Sequence, residues 1–146
     1  MFIIPWIIIS AICFIVIKSL ALFINGRKYT FGTEMRESSF SLEIFYTLLV
    51  TYIIVIVGFG LIYFILSFEQ IILVENGEPK EVSVLASMTN SMYFSGATML
   101  TIGYGDVTPV GIGRMIAVVE ALIGYILPTA FVLRLVQNTR DRIRDR

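Results

Sequence analysis

Long apolar runs separated by polar connectors dominate the chain, and the lengths of those runs are its first informative feature. From Phe2 to about Ile24 the sequence is apolar apart from Pro5, Ser10, Lys18 and Ser19. A second run covers 44–68 and a third 112–136. Runs of about 20 apolar residues are long enough to cross a bilayer as helices, so the pattern predicts three spans. The first run lacks the positive segment that precedes a secretory signal, and it exceeds the roughly 7–15-residue apolar core of one. It is therefore expected to be a retained helix at 1–25, with Lys18 close enough to Asn25 and Gly26 to snorkel toward the headgroups.

The connectors differ from one another. Residues 26–43 mix both signs of charge and read as a cytoplasmic or interfacial linker, with room for a short interfacial helix. Residues 69–86 are acidic, with Glu69, Glu75, Glu78 and Glu81 against Lys80, and carry a turn signal at Asn76-Gly77. Residues 87–100 are rich in small and hydroxyl side chains and too short to span, so they predict a re-entrant helix capped by Ser87. The fold class expected is an all-α membrane protein: three transmembrane helices, one re-entrant helix and an extended segment at 101–105.

Composition reinforces the pattern. The chain has 146 residues and is 57% hydrophobic, against roughly 45–50% in soluble domains. Eleven basic residues balance eleven acidic ones, which gives no reason to expect nucleic acid as a partner. The single cysteine, Cys13, allows no intrachain disulfide and reads as packing, and there is no histidine. With no nucleophile–base pair, phosphate loop or metal cluster, neither an enzyme nor an organic cofactor is expected.

Basic residues set the orientation. Arg27, Lys28 and Arg36 lie in the first loop and five arginines lie from Arg134 onward, whereas the segment between the later spans offers Lys80 and Arg114. The first loop and the C-terminus are thus expected in the cytoplasm, and the N-terminus and acidic connector outside. The arginine-rich tail at 139–146 is expected to anchor at the cell membrane, with contact to anionic lipids as an addition.

The stretch "TMLTIGYGDVTP" (98–109) breaks the apolar pattern most sharply. Non-helical backbone at membrane depth is tolerated only where it is buried in protein or lines a wet path. Successive carbonyls point one way only if backbone angles alternate in hand, and Gly103 and Gly105 accept the left-handed angles without a Cβ clash. The carbonyls of Thr101, Ile102, Gly103 and Tyr104, with the Thr101 hydroxyl, could then stack as rings of oxygen ligands. One chain contributes one oxygen per ring, so a cage that replaces a hydration shell needs four copies around an axis. A homotetramer is the expected assembly, with Ile102 and Tyr104 bracing the rings from behind.

T-I-G-Y-G-D, preceded by the aromatic pair Tyr93-Phe94 and followed by a long apolar helix, resembles the pore domain of potassium channels. The likeness covers roughly residues 40–138. It implies a pore domain at 44–138, made of an outer helix (44–68), a turret (69–86), a pore helix (87–100), a filter (101–105) and an inner helix (112–138). It also implies K+ ions at Thr101, Ile102, Gly103 and Tyr104, and Asp106 behind the outer mouth bonded to an aromatic, for which Tyr93 is the candidate. Tyr93 and Phe94 would form an aromatic cuff supporting the filter. Two positions depart from the family: Ala97 stands where some members have a glutamate, and Leu100 where a second threonine is common.

The inner helix carries the mechanical signals. Gly124 matches the family's hinge glycine, and Pro128 lacks the N–H that would have bonded the Gly124 carbonyl. A bend between them is expected either to set pore width or to be a static kink. Val132 and Val136 continue the stripe below Pro128, as a dewetting constriction or as bundle packing, with Phe131 and Leu135 on the neighbouring face. Glu120, an acid in mid-span, is either a hydrogen-bonded structural group or a pH-sensitive brace, with Ser95 and Thr98 supplying hydroxyls. The expected function is potassium-selective conduction; a less selective cation pore, a transporter subunit and a non-conducting channel subunit are the alternatives. No span carries an arginine at every third position, so no voltage sensor is expected.

Overall fold

The computed structural model describes residues 3–25, 42–76 and 83–144. The linker in which a short interfacial helix was expected, most of the turret charges and Gly77 lie outside the described residues. Four helices occur among the described residues: α1 (Ile3–Asn25), α2 (Leu42–Leu66), α3 (Val84–Met99) and α4 (Gly113–Arg144). Three contain apolar stretches long enough to cross a membrane, at Ile4–Ile24, Ile44–Leu66 and Gly113–Val136. A helix satisfies its own backbone polar groups within one segment, which is what a hydrocarbon environment demands.

The fourth helix, α3, starts earlier than expected. Its cap is Ser83, whose Oγ accepts the Ala86 N–H at 3.3 Å. Ser87 lies within the first turn instead, with its own N–H on the Ser83 carbonyl at 2.9 Å. The reason is a second contact: Ser87 Oγ lies 3.0 Å from Ser67 Oγ at the end of the outer helix. Ser67 gives its one hydroxyl proton to the Phe64 carbonyl at 2.6 Å, so Ser87 is the donor in that pair. The serine expected to cap one helix thus joins two.

Two short strands, not anticipated from the sequence, complete the structure: β1 (Leu73–Glu75) and β2 (Val107–Pro109), antiparallel, with Leu73 opposite Pro109, Val74 opposite Thr108 and Glu75 opposite Val107. Flanking bonds extend the ribbon, from Asn76 N–H to the Asp106 carbonyl and from Val110 N–H to the Ile72 carbonyl, both at 2.8 Å. Ile72 is fully buried beneath it. Gly113 lets α4 begin directly under the ribbon, because a Cβ there would lie 2.9 Å from the Ile72 carbonyl oxygen.

The core lies where α2, α3 and α4 meet, around Val55, Phe59, Ile62, Tyr63, Phe94, Met99 and Leu127. The re-entrant helix packs closely on the outer helix at Gly60, where a Cβ would lie 2.5 Å from Met92 Sδ and 3.3 Å from its Cα. Helix α1 packs on α2, with Val16 set against Gly58, and its buried Phe23 receives the Arg134 guanidinium of α4 over its ring at 5.2 Å. The first helix therefore touches the C-terminal half of the last one.

This packing predicts opposite outcomes at two glycines of the same interface. Gly60→Val forces Met92 away and should lower the melting temperature of the detergent-purified protein, since overpacking costs about 1–3 kcal/mol. A Cβ at Gly96 meets nothing nearer than Ile56 Cγ2 at 4.0 Å. Gly96→Ala should leave that temperature unchanged or raise it, because alanine favours a helix interior by about 0.5–1 kcal/mol over glycine.

Candidate ion pathway and its supports

The segment at 101–105 hangs from the C-terminal end of α3 by its amides. Leu100 N–H bonds the Gly96 carbonyl and Thr101 N–H the Thr98 carbonyl, both at 3.0 Å; Ile102 and Gly103 share the Ala97 carbonyl at 2.8 and 3.2 Å. Beyond that tether φ alternates in sign. It is positive at Thr101 (57°), Gly103 (56°) and Gly105 (82°), and not at Ile102 or Tyr104. No atom lies within 4 Å of a Cβ built on Gly103 or Gly105, so backbone angle, not space, requires glycine there. Thr101 takes the same hand with a β-branched side chain, which is a strained conformation. Sequence reasoning assigned left-handed angles to the glycines alone. Among the described residues no hydrogen bond is donated to the carbonyls of Thr101, Ile102, Gly103 or Tyr104.

Side chains hold the segment from one side. Tyr104 stacks on Tyr93 with centroids 6.2 Å apart and planes 10° from parallel. The Tyr93 hydroxyl donates to Asp106 Oδ2 at 2.8 Å, and that bond is the main reason its phenol is held above the ordinary range. Because the Asp106 carbonyl accepts from Asn76, this one residue ties together α3, the ribbon and the end of the segment. Phe94 points elsewhere: it is buried edge-on against Tyr63 of α2, at 5.1 Å and 78°. The two adjacent aromatics thus serve different faces of α3. Ile102 is exposed in the single chain, as is Leu100.

Behind α3 lies a fully buried acid. Glu120 Oε2 accepts the Tyr63 hydroxyl at 2.8 Å, and Glu120 Oε1 meets the Ser95 hydroxyl. The same Ser95 Oγ is 2.8 Å from the Ile56 carbonyl of α2. This cluster joins the outer, re-entrant and inner helices through polar groups alone. Thr98, expected to contribute, makes no hydrogen bond to Glu120; its carbonyl instead accepts from the tether of the 101–105 segment. Tyr63 was missed, although a tyrosine in an apolar run signals a buried hydroxyl in need of a partner.

The residues expected to form a gate are spread along α4. Gly124 lies directly against the end of α3, where a Cβ would run into the Met99 carbonyl oxygen. Close approach thus accounts for this glycine, whatever its part in bending. Pro128 lies inside the helix. Val132 and Val136 are exposed in the single chain, while Phe131 packs edge-on against Phe45 at 6.4 Å.

A family model described as "ion channel" matches residues 51–141, which takes in the C-terminal part of α2, the ribbon, α3, the 101–105 segment and nearly all of α4. The chain belongs to this ion channel family. The match agrees with the pore-domain resemblance read from the sequence. Among curated proteins, Protein LctB of Bacillus caldotenax is 40% identical over 97 residues, 66% of this chain and 72% of that protein. Protein LctB of Geobacillus stearothermophilus is 42% identical over 103 residues, 70% of this chain and 77% of its own length. No solved structure matches.

The buried cluster gives a direct test. Glu120→Ala leaves the buried Tyr63 hydroxyl without its partner, while Ser95 keeps the Ile56 carbonyl, a loss of about 1–3 kcal/mol. Glu120→Gln still accepts from Tyr63 and keeps the side-chain shape. In thermal melts of purified protein, the alanine variant should melt well below the glutamine variant. Equal melting of the two would show that the polar contacts are incidental.

Proposed function

We propose that four copies of this chain assemble around an axis as a channel that conducts K+ passively and selects it over Na+. The observation that carries this reading is the alternation of backbone hand through Thr101, Ile102, Gly103, Tyr104 and Gly105, with the first amides bonded into α3 and the carbonyls of Thr101 to Tyr104 accepting no hydrogen bond from the described residues. Rings of such carbonyls, one oxygen from each copy, replace the hydration shell of a K+ ion as it passes. The Thr101 hydroxyl completes the innermost ring. Tyr93, Tyr104 and Asp106 keep the ring at fixed width by holding each copy's segment from behind. The C-terminal ends of four α3 helices, directed at the axis, favour a cation there.

The same reading assigns the cytoplasmic side to the first loop and to the end of α4, where arginines concentrate, and the outside to the N-terminus and the ribbon. Bending of α4 between Gly124 and Pro128 controls the width of the inner pore, with Val132 and Val136 below it. The pore is lined by protein groups, and the ion itself is the cargo.

Liposome flux tests the proposal. Purified protein in potassium-loaded vesicles should take up rubidium and potassium, should admit little sodium, and should be blocked by barium. Gly103→Ala puts a methyl group on a backbone held at φ 56° and should abolish uptake. Equal sodium and potassium uptake would overturn the selectivity.

A further inference from the structure

Pro128 leaves a carbonyl without its helical partner. The amide that would have bonded Gly124 O is absent at position 128, and a bare carbonyl in a membrane-spanning helix is costly. A second helix supplies a donor. The Tyr52 hydroxyl of α2 lies 3.2 Å from Gly124 O, across 72 positions of sequence. The other side of the same glycine lies on the Met99 carbonyl, and Leu100 alone separates Met99 from Thr101. One turn of α4 is therefore bonded to the outer helix and seated against the base of the 101–105 segment.

We propose that Tyr52 is a positioning residue for the inner helix: its hydroxyl replaces the amide that proline lacks and latches the Gly124–Pro128 turn against the outer helix. Geometry makes the latch conditional. An amide within α4 would travel with the helix and satisfy Gly124 O in every position. The Tyr52 donor stays with α2, so displacement of α4 at this turn breaks the bond and exposes the carbonyl. Proline thus converts a bond internal to one helix into a bond between two, and gives the observed arrangement an energetic advantage that a continuous helix would not have. Because the turn also abuts Met99, holding it in place holds the filter's base.

The inference rests on the channel reading only where open probability is the readout, so the test includes one readout that needs no conduction. Wild type, Y52F, P128A and the double variant are compared in planar bilayers in potassium and in thermal melts in detergent. Y52F should shift the ratio of open to closed time about threefold to tenfold and lower the melting temperature. In the P128A background the new amide reaches Gly124 O, so Y52F should change neither quantity. A silent Y52F, or equal effects in both backgrounds, overturns the latch. Silent bilayers with melting temperatures coupled as expected would contradict conduction and support the latch. Conduction with uncoupled gating and melting would do the reverse.

Discussion

A carbonyl oxygen inside a membrane must find a donor, and the structure is organised around the few places where helical bonding does not supply one. At 101–104 no described residue donates a hydrogen bond to the oxygens, and α3, the ribbon and the Tyr93–Asp106 bond hold that arrangement. The amides leading into the segment fold back on Gly96, Ala97 and Thr98. Tyr104 leans on Tyr93, Tyr93 bonds Asp106, and the Asp106 carbonyl fastens the exit to the ribbon. The strain at Thr101 persists because these contacts over-determine it.

The same constraint explains the polar groups in the core. Glu120, Tyr63 and Ser95 would each be unfavourable alone in an apolar bundle, yet together they satisfy one another while linking three helices. The cluster lies behind α3, opposite the side that carries Tyr93 and Asp106. The re-entrant helix is thus fixed on both faces by hydrogen bonds, and its depth by Gly60 against Met92. At Gly124 the rule appears a third time, with Tyr52 as donor. That contact lies close to the start of the 101–105 segment through Met99, so α4 and this segment share a physical boundary rather than a distant connection.

Much of this was legible from residue order. Three spans, the re-entrant helix and the glycine alternation followed from run length and from what L-residues cannot adopt. Asp106 and Tyr93 were paired by resemblance, and they do bond. What stayed hidden was tertiary. The cap fell on Ser83 because Ser87 is engaged by Ser67, a residue just past the end of α2. The ribbon comprises two three-residue strands far apart in sequence, too short for alternation to declare itself. Thr98 and Tyr63 exchanged roles because periodicity places a hydroxyl on a face without naming the neighbour that faces it. Gly124 read as a hinge, while its close contact with Met99 required coordinates.

The proposed channel requires that the carbonyls of Thr101, Ile102, Gly103 and Tyr104 coordinate K+ around a fourfold axis. Anomalous diffraction from crystals of the assembled protein grown in rubidium tests it most directly. Peaks are expected on a fourfold axis in planes between successive carbonyl rings of these four residues, lost when sodium replaces rubidium. Rubidium bound elsewhere, or an assembly whose 101–105 segments do not face a common axis, would contradict it.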